Sequence, residues 1–286
     1  MPLHISAHFH EPTNTVSYLV WDSATNRAAV IDPVLDFDAK SGRTGTQSID
    51  ALLAEAAKRS LSIDWTLETH AHADHLSAAP VVRQRSGARS VIGADITKVQ
   101  KVFKPIFDAG DLTPDGSAFD RLLQDGESLP LGSLRIEAMA TPGHTPACMS
   151  YRIEDAVFVG DTLFMPDYGT ARCDFPGGDA ATLYRSIQRL LCLPPETRLF
   201  LCHDYKAPGR DQYVWETTVA AQKAGNLHVR DGIDEASFVA MRQARDAKLD
   251  MPALILPSVQ VNIRAGDFPP AAENGTVYLK LPVNLL

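Results

Sequence analysis

The stretch THAHADHLS, residues 69–77, places three histidines and one aspartate within six consecutive positions. The preceding segment IDWTLETH is rich in β-branched and aromatic residues, which predicts a strand that ends at this cluster. Side chains at i and i+2 of an extended segment point to the same side, so we expect His70 and His72 to project together. Asp74 and His75 face the same point if the chain coils there into the first turn of a helix. This density of imidazole and carboxylate favours a metal site.

Three further polar side chains follow predicted strands in the same way. His144 comes after LRIEAMA, Asp161 comes after AVFV, and His203 ends RLFLCH. A lone Thr-Pro-Gly-His or a strand-terminal Gly-Asp is a weak signal, but their order behind the cluster makes the set specific. The sequence therefore predicts a metal centre assembled from the ends of several strands.

Composition limits the class of protein. The chain has 286 residues with 45% hydrophobic and 22% charged side chains, enough to bury one large core or two moderate ones. A formal charge of −8 without a block of Lys or Arg argues against nucleic-acid binding and against a basic membrane patch. No apolar run has membrane-spanning length, the amino end does not resemble a signal peptide, and the four cysteines form no CxxC pair. These features predict a soluble cytoplasmic protein with reduced thiols.

Hydrophobic patterning predicts a layered α/β architecture. HISAHF, TVSYLVW and AAVID read as a meander of strands, and VIGAD, LRIEAMAT, CMSYRIE, AVFVGD and RLFLCH add more. Helices are predicted after Ser48, from Ser77 to about Arg85, and after Asp179. Beyond residue 205 we predict a helix in QYVWETTVAAQKAG, a helix from Asp234 through Leu249, and two strands, ALILPSVQVNI and TVYLKLP.

THAHADH, TPGHT, GDTLF and CHD resemble the ordered metal-binding motifs of the metallo-β-lactamase superfamily. The resemblance implies an αββα sandwich: one domain with its core at about 1–205 and a C-terminal extension at about 206–286. EPTNTVSYLVWD, TPGHTPACMSY, ARCDFPGGDAATLYRSI, CHDY and VNIRAG are, more narrowly, similar to persulfide dioxygenases. Within TPGHTPACMSY, Cys148 stands where hydroxyacylglutathione hydrolases usually carry another histidine.

The narrower resemblance implies oxidation of glutathione persulfide by O2 to sulfite and glutathione, with a homodimer as the default assembly. It assigns one Fe(II) per chain to His70, His144 and Asp161, a set that leaves about three coordination positions open. The remaining members of the cluster would then hydrogen-bond to the ligands and to bound water; they are His72, Asp74, His75 and His203.

Glutathione carries two carboxylates, which guanidinium groups bind well. Arg172 matches the arginine of the family's motif after GDTLF, and Arg264 with Asn262 matches its late N-x-R. Tyr205, two residues after His203, and Tyr168, on the loop between Asp161 and Arg172, are further candidates for substrate binding.

Two other classes stay open. A glyoxalase II-like thioesterase or lactonase would use two zinc ions, and every ligand for a second zinc is present. Cys148, Arg172 and VNIRAG oppose that interpretation. A noncatalytic metal- or thiol-sensing protein is the other alternative, and the intact ligand set argues against it. A nuclease is disfavoured because the interval from Gly93 to Ala140 leaves no room for a large inserted domain.

Overall fold

The computed structural model describes residues 2–285, which contain fifteen strands and seven α-helices. The strands are β1 (Leu3–His10), β2 (Thr15–Asp22), β3 (Arg27–Ile31), β4 (Val34–Asp38), β5 (Arg43–Gly45), β6 (Ser62–Leu67), β7 (Leu76–Ser77), β8 (Arg89–Gly93), β9 (Arg121–Leu123), β10 (Ser128–Leu131), β11 (Leu134–Ala140), β12 (Met149–Ile153), β13 (Ala156–Phe158), β14 (Arg198–Phe200) and β15 (Glu216–Thr218). The helices are α1 (Gln47–Lys58), α2 (Ala79–Ser86), α3 (Ile96–Ile106), α4 (Ala180–Leu191), α5 (Val219–Gly225), α6 (Glu235–Asp246) and α7 (Ile255–Asn262).

Two six-stranded sheets form the centre of the molecule. The first has the order β1-β2-β3-β6-β8-β9, antiparallel from β1 to β3 and parallel from β3 onward. The second has the order β10-β11-β12-β13-β14-β15, with β13 and β14 as its parallel pair. A small third sheet, β5-β4-β7, lies beside them.

The principal core lies between the two large sheets. Tyr18 of the first sheet contacts Phe158 and Phe200 of the second, with ring centroids 5.0 and 5.7 Å apart. Ile49 of α1 and Leu183 of α4 belong to separate clusters on the outer faces, where α1 and α2 cover the first sheet and α4 covers the second. This helix–sheet–sheet–helix arrangement confirms the predicted αββα sandwich.

Side-chain capping explains two of the predicted helix starts. Asp179 accepts a hydrogen bond from the Thr182 N–H before α4, and Asp234 accepts one from Ser237 before α6. The prediction of Ser48 as the cap of α1 is wrong: α1 already begins at Gln47, and the Ser48 hydroxyl donates to Asp36.

Several other predicted elements differ from the structure. The chain after His75 forms β7 before α2 begins, so the metal-binding cluster lies on a loop and not in a first helical turn. QYVWETTVAAQKAG is helical only over α5, because its middle part pairs with β14 as β15. ALILPSVQVNI is not a strand: it forms α7, whose Ile255 and Val259, with Ile263 just after the helix, pack at helical spacing in one cluster with α3. TVYLKLP forms no strand among the described residues.

None of the helices in the described part of the chain combines the length and apolarity that crossing a bilayer requires.

Candidate metal centre

Strand ends supply the metal-centre side chains, as the sequence predicts. His70 follows β6, His144 follows β11, Asp161 follows β13 and His203 follows β14. Gly143 lets the TPGH loop approach α4 closely, because a Cβ at its φ of 137° would lie 2.3 Å from the Leu183 Cα.

These four side chains converge on one point. The Oδ2 atom of Asp161 lies 3.9 Å from His70 Nε2 and 3.7 Å from His144 Nε2. The other carboxylate oxygen, Oδ1, lies 3.2 Å from His203 Nε2, which is in turn 3.4 Å from Asp74 Oδ2. His70, His144 and Asp161 offer ligand atoms that all lie within 4.8 Å of one another.

Hydrogen bonds from Nδ1 orient four of the histidines. His144 Nδ1 donates to the Arg172 carbonyl at 2.7 Å, and His75 Nδ1 donates to the Leu76 carbonyl at 3.1 Å. His70 Nδ1 lies 3.0 Å from the Thr69 hydroxyl, and His203 Nδ1 lies 3.2 Å from the Asn14 carbonyl. A donor proton on Nδ1 leaves Nε2 as the atom available for a metal.

His72 has the opposite arrangement. Its Nε2 atom lies 3.0 Å from Asp32 Oδ1 and 3.5 Å from Glu68 Oε2, so only Nδ1 faces the other histidines. Its ring centroid is 4.0 Å from that of His70 and 4.2 Å from that of His75.

Unpaired buried atoms indicate that a metal ion fits here. Five ring or carboxylate atoms of the cluster are buried without a hydrogen-bond partner among the described residues; they are His70 Nε2, His72 Nδ1, His75 Nε2, His203 Nε2 and Asp161 Oδ1. Buried polar groups are normally paired, since an unpaired one costs free energy. Imidazole nitrogen and carboxylate oxygen together suit Zn, Fe or Mn.

The protonation states of His70 and His75 suit metal binding, but that of His72 does not: burial lowers the pKa of His72, and the negative charges of Asp32 and Glu68 more than reverse this and raise it to about 10. Burial, reinforced by the charges of neighbouring histidines, lowers the pKa of His70 well below its usual value and that of His75 to about 3. Both rings are therefore neutral at physiological pH, as a ligand must be. Although burial alone would raise the pKa of Asp74, the neighbouring imidazoles, His203 first among them, bring it down to about 2.

Two buried carboxyl groups belong to the site and were not predicted. Asp32 accepts hydrogen bonds from both the backbone N–H and the hydroxyl of Thr69, at 2.7 and 2.9 Å, and pairs with His72. Burial raises the pKa of Glu68 to about 8, and its carboxyl accepts a hydrogen bond from the Ser77 hydroxyl. Asp32 carried the same signal as Asp161, namely an aspartate directly after a buried strand.

A cavity of about 390 Å³ opens from the metal centre. His144 and Asp161 line it, together with three predicted substrate-binding residues, Arg172, Tyr168 and Tyr205. The two tyrosine rings lie 5.2 Å apart and form one wall.

The guanidinium of Arg172 already has protein partners. Its Nε and NH2 atoms each lie 2.5 Å from a carboxylate oxygen of Asp174, and NH1 donates to the Asp250 carbonyl at 2.7 Å. Arg172 therefore reaches the cavity as part of an ion pair.

The structure places the other two predicted substrate contacts outside this cavity. Asn262 donates from Nδ2 to the carbonyls of His72 and His75, both at 2.8 Å, and accepts from the Ser77 N–H. Arg264 forms a bidentate ion pair with Asp111, with both distances 2.9 Å. Both side chains therefore bond to other parts of the protein and stabilise its structure.

Two cavity-lining arginines were missed as well. Arg242 and Arg245 extend from α6 into the cavity that His144 lines. On the sequence they are ordinary charged positions of an amphipathic helix, so no motif marks them.

Cys148 is buried and lies next to Thr145, whose hydroxyl is 3.1 Å from its sulfur. Burial raises the pKa of the Cys148 thiol to about 12, which makes it a poor nucleophile or metal ligand.

Comparisons with known proteins agree with this geometry. The metallo-beta-lactamase superfamily domain matches residues 10–203. A probable metallo-hydrolase of Burkholderia pseudomallei is 55% identical over 99% of both chains, and Glyoxylase B2 of Dictyostelium discoideum is 46% identical over 95% of this chain and 94% of that protein. The mitochondrial persulfide dioxygenase ETHE1 of Homo sapiens is 28% identical over 95% of this chain and 92% of its own.

Among solved structures, ETHE1 from Myxococcus xanthus superposes with a TM-score of 0.74 at 31% identity. The match covers 92% of this chain and all of that one. The domain match, the ordered ligands at the strand ends and the αββα layers lead to one conclusion: the chain belongs to the metallo-beta-lactamase superfamily.

Proposed function

We propose that the protein is a persulfide dioxygenase that oxidises glutathione persulfide with O2 at a single Fe(II) site. The observation that carries the proposal is the convergence of His70 Nε2 and His144 Nε2 on Asp161 Oδ2, at 3.9 and 3.7 Å. Two histidines and one carboxylate on one face are typical of non-haem iron oxygenases. The likeness to human and Myxococcus ETHE1 proteins supports the same class.

The reaction balances with water as a reactant. Glutathione persulfide, O2 and H2O yield glutathione, sulfite and two protons. The S–S bond breaks, the outer sulfur is oxidised from the formal state 0 to +4, and O2 takes up the four electrons. Ferrous iron would supply adjacent open positions for the sulfur anion and O2.

The chain's own residues would orient the substrate and a water. The Tyr168–Tyr205 wall bounds one side of the cavity. The partly buried carboxylate of Asp74, beside His203, can accept a hydrogen bond from a water near Asp161. Arg172, with its charge shared with Asp174, is suited to a polar contact with the peptide part of the substrate.

Oxygen uptake measured with the metal content of the same sample tests the proposal. We expect about one iron per chain and O2 consumption that depends on glutathione persulfide, with sulfite as product. Iron-loaded protein that forms no sulfite and consumes no O2 would contradict it.

A second candidate is a dinuclear hydrolase of the glyoxalase II type. His72, Asp74 and His75 also offer ligand atoms within 4.8 Å of one another, enough for part of a second metal site. The names of the Burkholderia and Dictyostelium relatives favour this alternative. It predicts two zinc ions per chain and turnover of a glutathione thioester without O2. A homodimeric assembly and a cytoplasmic location remain predictions under either function.

A further inference from the structure

The cavity next to the metal centre has an unequal distribution of charge. Three arginines line it, and two of them are neutralised by the protein itself. Arg172 pairs with Asp174, as described above. Arg242 is buried, lies 2.6 Å from Asp246 and also donates to the Thr170 carbonyl at 3.1 Å.

Arg245 is the exception. Its side chain makes no hydrogen bond and no ion pair with any residue in the range 2–285, although it lines the same cavity as His144 and Asp161. It lies close to the tyrosine wall: burial raises the pKa of Tyr168, and Arg245 and then Arg242 are the positive charges that oppose this rise. An unneutralised guanidinium in a cavity attracts an anion.

Glutathione has its sulfur and its carboxylates at separate positions, as the metal centre and Arg245 are separate in the cavity. Its sulfur branches from the middle residue, and each end of the tripeptide carries a carboxylate, one extended residue spanning about 3.5 Å. A persulfide sulfur at the metal edge, beside His144, therefore leaves a carboxylate several ångströms away along the cavity. Arg245 is exposed to solvent and so is accessible to a ligand. Leu249 and Leu254 line the same cavity and offer apolar surface to the carrier.

We propose that Arg245 binds a carboxylate of the thiol carrier, so that α6 selects carboxylate-bearing, glutathione-type persulfides over small neutral ones. The selection among persulfides rests on the proposed function, whereas the contact between Arg245 and a carboxylate does not. A planar guanidinium fork binds a carboxylate through two parallel hydrogen bonds, which gives orientation as well as affinity.

Kinetics with two substrates test the inference. In the iron-loaded protein, Arg245→Gln should raise KM for glutathione persulfide about tenfold with kcat within twofold of wild type. KM for the carboxylate-free 2-hydroxyethyl persulfide should not change. Arg245→Lys should recover part of the affinity, because the charge remains but the fork is lost.

Lys248→Gln is the matched control. Lys248 is exposed near the same end of α6, does not line the cavity, and its loss removes one positive charge as well. An equal rise in KM for Lys248→Gln and Arg245→Gln would show long-range attraction only and would overturn the inference, as would an unchanged KM for Arg245→Gln.

Binding of glutathione itself separates this inference from the proposed reaction. Calorimetric titration of the metal-loaded protein requires no turnover, and we expect the dissociation constant to rise about tenfold in Arg245→Gln but not in Lys248→Gln. That result in a protein that consumes no O2 would support the contact while refuting the dioxygenase. Equal affinity in both variants and wild type would refute the contact even if O2 uptake were robust.

Discussion

At the scale of single residues, the metal centre depends on what each imidazole does with its second nitrogen. His144 and His75 donate to backbone carbonyls, while His70 meets the Thr69 hydroxyl, which itself donates to Asp32. Such contacts fix the tautomer and the ring orientation before a metal binds. Asp32 is thus a positioning residue for the cluster, two contacts away from the ligand atom.

Removing Asp32 should damage both stability and metal affinity. Asp32→Ala would leave the Thr69 N–H unpaired in the interior and His72 Nε2 with only the more distant Glu68, and removal of one partner of a buried pair costs about 3–5 kcal/mol. We expect denaturant unfolding to show a loss of this size in the free energy of unfolding. Metal affinity should weaken about 10–100-fold. Asp95→Ala, which removes an exposed pair with Lys98, should cost less than about 1 kcal/mol. Equal effects of the two substitutions would contradict this role.

Metal content should distinguish substitutions of metal ligands from substitutions of substrate-binding residues. Asp161→Ala and His144→Ala each remove an atom of the converging set, so we expect the purified variants to lose iron. Arg172→Ala should keep iron near the wild-type level and weaken substrate capture, because its side chain contacts Asp174 and Asp250 rather than the cluster. Elemental analysis with steady-state kinetics measures both. Loss of iron from the Arg172 variant would show that this division of roles is wrong.

At the scale of elements, α7 stabilises the metal-binding loop. Asn262, in its last turn, bonds to three backbone groups of residues 72–77, and Arg264 just beyond it pairs with Asp111 after α3. The C-terminal extension therefore has two roles: α7 stabilises the loop of the metal centre, and α6 lines the cavity. Asn262 and Arg264 of VNIRAG were predicted from the resemblance to contact substrate; in the structure Asn262 contacts the loop and Arg264 contacts Asp111.

Asn262→Ala should loosen this loop. Two carbonyls and one N–H would lose their partners in a buried region, which we expect to lower the free energy of unfolding by about 3 kcal/mol. Iron content should fall with it, since His72 on this loop packs against the proposed ligand His70, with ring centroids 4.0 Å apart. Asn274→Ala is the matched control, because Asn274 is exposed and contacts only Tyr278 and Thr276. Full iron retention in Asn262→Ala would argue that the loop holds its geometry alone.

Strands and helices were predicted correctly where the sequence pattern fits only one kind of element. Alternating β-branched runs predicted the central strands, and Asp179 and Asp234 marked helix starts through their side-chain oxygens. ALILPSVQVNI failed because a short apolar run fits a buried helix as well as a strand, and only packing against α3 decides between them. The ligands were predictable because they are dense or follow strands; Arg245 and Glu68 were not, because their roles depend on what surrounds them.

At the scale of the whole molecule, the fold does not depend on the metal for its core. The two large sheets bury Tyr18, Phe158 and Phe200 between them, while the ligands occupy one rim. We therefore expect a bound metal to add stability locally at the histidine cluster and the layers to persist without it.

Metal removal should test that independence. A chelator should leave the far-ultraviolet circular dichroism unchanged and lower Tm by roughly 5–15 °C, since a ligand at about a thousand times its Kd adds about 4 kcal/mol. Restoring the metal should restore Tm. Loss of secondary structure on chelation, as in small zinc-dependent domains, would contradict the prediction.

The bond from His144 Nδ1 to the Arg172 carbonyl joins one imidazole to the loop that carries the cavity-lining Arg172. If that loop moved when a ligand bound, the His144 ring would tilt with it, and the electronic environment of an ion held by the ring would change. Binding of an unreactive substrate analogue in the cavity should therefore change the optical or magnetic spectrum of a cobalt- or iron-loaded sample, even if the analogue does not contact the ion. The metal would then report whether the cavity is occupied.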